Sequence, residues 1–192
     1  MIISMYLTLS SLILAGIANM IFTKTRLYKK YNKPIDFFKT LKDGKRIFGD
    51  NKTWIGFISM ILFSIIFQVL IGFICNIANI NEINEFYKMY GNTLTINIII
   101  GALIGFAYMI CELPNSFIKR RVDIIPGKTG SGLIGKVFFI IDQIDSLIGV
   151  VFVLHLFSGI NLSKCIFYIV LGAITHIAIN LVLFLLKIRR NL

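Results

Sequence analysis

The stretch Leu133-Ile134-Gly135-Lys136-Val137-Phe138-Phe139-Ile140-Ile141-Asp142-Gln143-Ile144-Asp145-Ser146-Leu147-Ile148-Gly149-Val150-Val151-Phe152-Val153-Leu154-His155-Leu156-Phe157 is apolar almost throughout, yet it holds two aspartates. It has the length of a membrane span, because a bilayer core takes about 20 apolar residues in a helix. A carboxylate at the centre of such a helix costs about 2.5–3.5 kcal/mol on the insertion scale. At i,i+3 spacing Asp142 and Asp145 share a face, one turn apart. A paired acidic face inside a membrane is a functional site by default, and its usual partner is a cation or a metal. The bland alternative is a structural ion pair or a helix-packing contact.

The rest of the chain agrees with a membrane setting. Of 192 residues, 57% are hydrophobic, and the mean hydropathy is +0.83. Soluble domains are typically about 45–50% apolar. Five segments qualify as spans: Ile2–Thr23, Trp54–Asn76, Leu94–Leu113, Leu133–Phe157 and Cys165–Leu186. The first lacks the charged n-region and the small-residue cleavage site of a signal peptide, so it reads as a retained span. The fold expected is an all-α membrane protein, one polytopic domain over residues 1–192, with cytoplasmic loops at about 24–53 and 116–132.

Charge sets the expected orientation. The net charge is +11, from 20 Lys and Arg against 9 Asp and Glu. Ten of the basic residues fall in Lys24–Lys52, five in Ser116–Lys136, and three in the tail at Lys187, Arg189 and Arg190. The other two connections carry only Lys88 and Lys164. The positive-inside rule then places the N-terminus outside and the C-terminus in the cytoplasm, which needs an odd number of spans. So basic a chain suits anionic headgroups or phosphate substrates. Nucleic acid is not expected, because the cations flank hydrophobic spans. In the first long loop, Pro34 is placed to open a short interfacial helix carrying Ile35, Phe38 and Leu41.

Two basic segments accompany the acidic pair. Asp43-Gly44-Lys45-Arg46-Ile47-Phe48-Gly49-Asp50-Asn51-Lys52-Thr53-Trp54 combines cations, acids and two glycines just before the second span. Glycine permits close backbone approach to a ligand, and Lys and Arg give charged donors to phosphate oxygens. Ser116-Phe117-Ile118-Lys119-Arg120-Arg121 is followed by Pro126-Gly127-Lys128, with Glu112 and Asn115 just upstream. Each segment also reads as a plain topogenic flank, with Trp54 as an interfacial anchor. Pro114 threatens to disturb the turn joining Glu112 to Ser116. Magnesium suits the aspartates, since it takes one or two carboxylates plus substrate phosphates.

Other features carry less. His176 and Asn180 share a face in the last span, and a hydrogen bond to another helix explains them as well as a site does. His155 lies away from the basic side. Cys75, Cys111 and Cys165 have no metal-ligand spacing and read as reduced packing residues. Gly130-Ser131-Gly132-Leu133-Ile134-Gly135-Lys136 fits GxxxxGK, but Val137 stands where a P-loop needs Ser or Thr, and no α/β context precedes it.

In their order and spacing these segments resemble the CDP-archaeol synthase family, which belongs with the integral-membrane phosphatidate cytidylyltransferases. The resemblance rests on Asp43-Gly44-Lys45-Arg46, Gly49-Asp50, Lys52-Thr53-Trp54, Gly56, Gly101, Gly105, Ser116 to Arg121, Pro126-Gly127-Lys128 and Asp142-Gln143-Ile144-Asp145, with His176 and Asn180 as weaker support. One departure is Cys111-Glu112, where family members often carry Gly-Asp four residues before the serine.

The resemblance implies transfer of CMP from CTP to a membrane lipid phosphate, giving a CDP-lipid and pyrophosphate. It implies Mg²⁺ as cofactor, held by Asp142 and Asp145, with Glu112 as a further metal or positioning residue. Lys119 and Arg120 would act on the reacting phosphates. Lys45, Arg46, Asp50, Lys52, Thr53, Ser116, Arg121 and Lys128 would bind the nucleotide. The site would lie in the cell membrane and open to the cytoplasm; the lipid's linkage chemistry and a homodimeric state are left open. A non-enzymatic alternative is a small transporter or ion channel using Asp142 and Asp145 as a cation site. That reading leaves the basic motifs without a role. A CDP-alcohol phosphatidyltransferase is excluded, because Asp43-Gly44 is not followed by Ala-Arg at the required offset.

Overall fold

In a bilayer the lipid tails are as apolar as leucine, so spans associate through close packing and hydrogen bonds, and small residues set how closely they approach. This chain follows that rule. The computed structural model describes residues 2–128 and 130–186. The tail cations Lys187, Arg189 and Arg190 lie outside the described residues. The helices are α1 (Ile2–Phe22), α2 (Arg26–Lys30), α3 (Trp54–Ile77), α4 (Leu94–Arg121), α5 (Gly132–Ser158) and α6 (Leu162–Leu185). All except the short α2 are long and apolar enough to cross a membrane, as the hydropathy pattern predicts.

Glycines fix the central contacts. A Cβ on Gly101 would stand 2.5 Å from the Ile65 Cα, and one on Gly105 would stand 2.8 Å from the Ile61 Cα. Helices α3 and α4 therefore touch backbone to backbone. Gly149 does the same for α5 against α4, where a Cβ would lie 2.6 Å from the Ala107 carbonyl oxygen. Around these contacts Met60, Ile100, Ile104, Val150 and Leu154 are fully buried. The outer faces stay apolar: α3 exposes Ile58, Leu62, Ile66, Leu70, Phe73 and Ile77, a stripe suited to lipid.

At the end remote from the basic loops, buried polar side chains lock the helices together. Ser11 of α1 donates to Gln68 of α3 at 2.6 Å. Gln68 donates to Asn97 of α4 at 3.1 Å and to the Tyr87 hydroxyl at 3.2 Å. Burial there pushes the Tyr87 hydroxyl pKa far above its ordinary value.

Two expectations need correction. Helix α4 does not stop near Leu113; it runs on through Pro114 to Arg121. Residues 116–121 are therefore helical, and the connection to α5 shortens to residues 122–131. Pro114 costs the helix one hydrogen bond, but the packing of α4 along α3 and α5 carries it past that point. Second, Pro34 opens no helix. It forms an antiparallel bridge with Thr53, and the short helix of this loop is α2, capped by Thr25. Phe37 and Phe38 adopt positive φ, 48° and 63°, which no helix allows.

Candidate active site

Because α4 is unbroken, Glu112, Asn115, Ser116 and Lys119 recur at i, i+3, i+4 and i+7 and lie on one helical face. That face borders a cavity of about 530 Å³ at the basic end of the bundle. From α5, Asp142 and Asp145 face the same space, and the loop before α3 adds Lys52 and Thr53. His176 and Asn180 of α6 line it deeper in the bundle, and Arg120 and Lys128 border it on the loop side.

One amide joins the acids. The Asn115 Nδ2 donates to Asp142 Oδ1 at 2.7 Å and to Asp145 Oδ2 at 2.6 Å. Asn115 is 7% exposed, and its Oδ1 has no partner among the described residues. Lys119 Nζ donates to both oxygens of Asp142. Lys52 Nζ pairs with Glu112 Oε2. Each of these lysines lies against a carboxylate.

Arg120 differs. It is 7% exposed, and its Nε and Nη1 have no hydrogen-bond partner among the described residues. The loop passes over it at Gly49, whose φ is +105°, and a Cβ there would come within 2.8 Å of Arg120 Nη1. Glycine is required at that crossing both by φ and by space. The acidic charge acting on it is that of Asp50, which makes no hydrogen bond to it among the described residues, and a buried guanidinium so weakly answered is costly unless an anion reaches it.

The remaining expected residues do not line the cavity. Arg46 donates through Nη2 to Asp36 Oδ1 at 2.6 Å and through Nη1 to Asp50 Oδ1 at 2.7 Å. The hydrogen bonds it donates to Asp36 raise its pKa above the ordinary arginine value. Lys45 donates to the Arg121 carbonyl at 2.9 Å and pairs with Asp123 at 2.7 Å. Arg121 donates to Asp43 Oδ2 at 2.6 Å and to the Arg46 carbonyl. Lys45, Arg46, Asp50 and Arg121 thus form a knot that ties the loop to the end of α4. Thr53 lines the cavity, but its hydroxyl caps α3 through the Gly56 N–H at 3.1 Å and meets the Tyr28 hydroxyl at 2.8 Å.

Sequence reasoning missed Asp36, the centre of that knot. It also left Asn115 without a role. Asp36 is 4% exposed and accepts from the N–H groups of Phe38, Phe48 and Gly49 as well as from Arg46. It stands directly after Pro34-Ile35, outside any charged motif, so only its turn position hinted at it. Among the described residues no three His, Cys, Asp or Glu side chains cluster closely enough to hold a metal by themselves. Magnesium needs fewer: one or two carboxylates suffice when substrate phosphates complete the shell. The converging oxygens of Asp142 and Asp145, with the orphan Asn115 Oδ1 beside them, fit such a partial donor set.

A cation-rich, acid-lined cavity sunk into the end of a five-span bundle suits an intramembrane enzyme acting on phosphate-bearing substrates. The model of the CarS-like CDP-archaeol synthase family matches residues 2–191. The chain belongs to the CDP-archaeol synthase family and is a CTP:lipid-phosphate cytidylyltransferase of membrane lipid biosynthesis. It is 36% identical over 100 residues to the CDP-archaeol synthase of Pyrococcus furiosus, an alignment spanning 52% of each chain. It is 31% identical over 161 residues to that of Sulfolobus acidocaldarius, covering 83% of each. Its fold matches a solved intramembrane enzyme of archaeal membrane lipid biosynthesis with a TM-score of 0.62 at 19% identity, over 92% of both chains.

The loop knot should be acid-labile. Burial raises the Asp36 carboxyl pKa, but the Arg46 guanidinium and the Phe48 and Gly49 N–H groups outweigh it and hold the value at about 2, against the ordinary 3.8. A depressed carboxylate contributes its full stability above the ordinary value and loses it as pH falls through the folded one. Trp54, the single tryptophan, lies against Phe37 with ring centroids 6.3 Å apart and so reports on the loop. Its emission should change as pH falls from 3.8 through about 2, and Asp36→Asn should remove that transition. A flat wild-type profile across this window contradicts the assignment.

Proposed function

We propose that the cavity binds CTP and the phosphate of a lipid acceptor side by side, and that CMP transfer occurs there. The observation that carries this is Arg120, a buried guanidinium whose Nε and Nη1 have no hydrogen-bond partner among the described residues, beside two lysines and two aspartates. An oxygen of the lipid phosphate attacks the α-phosphorus of CTP. The new P–O bond forms as the bond to the bridging oxygen between the α- and β-phosphorus breaks, and pyrophosphate leaves. Both substrates are anions, so the barrier is lowered mainly by charge neutralisation and in-line positioning.

Arg120, Lys128 and the Ser116 hydroxyl hold phosphate oxygens. Lys119 and Lys52 exchange Asp142 and Glu112 for phosphate as substrate arrives. Asp142 and Asp145 would hold Mg²⁺ together with substrate phosphates, with Glu112 beside them as a positioning residue, and the metal would supply neutralisation of phosphate charge and polarisation of the reacting phosphoryl group. Lys45, Arg46, Asp50 and Arg121 act at one remove, by shaping the loop that covers Arg120. The family points to an isoprenoid ether lipid phosphate as acceptor. The basic end faces the cytoplasm, supported by the eighteen-to-two division of Lys and Arg between the two sides. A cation channel has less support, because each lysine beside the acids would oppose a permeant cation.

Three outcomes test this reading. Asp142→Asn and Asp145→Asn should each weaken Mn²⁺ binding, followed by electron paramagnetic resonance with CTP present, and should abolish most turnover; undiminished metal affinity in both contradicts the metal assignment. Arg120→Lys keeps the charge but loses the planar fork, so CTP affinity should fall about tenfold, as for about 1.4 kcal/mol, whereas a purely topogenic arginine would tolerate the exchange. A thiol introduced at Lys42 should react with an impermeant reagent only from the cytoplasmic face, and labelling from outside reverses the orientation.

A further inference from the structure

Gly16 lies within the span of α1, and a Cβ built on it meets nothing within 4 Å. Six span glycines behave differently: Gly56, Gly72, Gly101, Gly105, Gly149 and Gly172 would each bring a Cβ within 3 Å of a neighbour, while Gly132, also in open space, has a positive φ that favours glycine. Glycine weakens a helix relative to alanine, and at position 16 neither packing nor backbone conformation requires it. What it provides there is space.

That space is a junction. Gly16, Met20, Tyr108, His176 and Asn180 line both the polar cavity and a second, apolar slot of about 80 Å³. The slot runs between α1 and α6 past Leu9, Leu12, Ile13, Leu147 and Ile179. Along α1 it extends from Leu9 to Met20, roughly 16 Å at the helical rise. Asn180, 4% exposed, has an Oδ1 without a hydrogen-bond partner among the described residues, at the point where polar lining gives way to apolar. A lipid phosphate has the same division, with a charged end joined to long hydrocarbon, and an apolar slot that shares five lining residues with the polar cavity matches it.

We infer that Gly16 forms a throat through which a hydrocarbon chain of the acceptor passes from the polar cavity into the slot between α1 and α6, and that the width left there selects among acceptor chains. The inference rests on the lipid-phosphate reading above and adds a specificity-determining residue to it. Its test uses the full-length protein in mixed micelles, with kcat/KM measured for a long-chain and a short-chain lipid phosphate. Gly16→Leu should lower the long-to-short ratio about tenfold or more, the scale on which hydrophobic pockets discriminate. Gly16→Ala should lower it less. A CTP-induced rise in Tm shows that each variant is folded; should Gly16→Leu lack it, Gly16→Ala carries the same comparison at smaller amplitude. An unchanged ratio with normal turnover overturns the throat alone. Absence of wild-type turnover on either acceptor overturns the underlying reaction and the throat with it.

Discussion

Charge buried in a membrane must be answered by charge or hydrogen bonds close at hand, and in this protein the answer runs through one amide. Asn115 donates to Asp142 and Asp145 together, so two carboxylates that repel each other are held at one place on the α4–α5 seam. The seam can be that narrow because Gly149 brings α5 onto the α4 backbone. Lys119 then completes the neutralisation of Asp142. Without these contacts the acids would draw water into the bundle. The cavity, the pairing of its lysines and the position of Arg120 all follow from the way α4 meets its neighbours.

The basic residues fall into two populations with different work. Lys52, Lys119, Arg120 and Lys128 border the cavity. Lys45, Arg46 and Arg121 are tied to Asp123, Asp36 and Asp43 and brace the covering loop. Composition alone cannot separate them, because a cation that braces a loop and a cation that borders a cavity are the same letter. The separation is made by Asp36, which accepts from Arg46 and three backbone N–H groups and so fixes the shape of the loop that passes over Arg120.

The spans were legible because hydropathy and length report directly on the cost of placing backbone and side chains in lipid. Asp142 and Asp145 stood out for the same reason, since an acid in an apolar run has few bland explanations. The α4 extension was not legible, because the local penalty of Pro114 points to a helix end while tertiary packing along α3 and α5 carries the helix on to Arg121. The role of Asn115 was hidden in a similar way. A neutral amide beside a proline carries no charge signal, and its importance appears only when α5 brings two carboxylates within reach. Thr53 read as a ligand for nucleotide; it lines the cavity, and its hydroxyl also caps the first turn of α3, a second role that the sequence did not signal.

Gly101 and Gly105 do more than let α3 and α4 come close. They set the rotational phase of α4, because only the face carrying them can lie against the α3 backbone. Glu112, Asn115, Ser116 and Lys119 read out that phase two to five turns further along the same rigid rod. Adding or removing one residue between Gly105 and Glu112 would turn the site-bearing end by about 100° and carry the whole set away from the aspartates, while leaving the span hydrophobic and the helix intact. The stretch from Phe106 to Cys111 is therefore a spacer whose length is constrained more tightly than its chemistry.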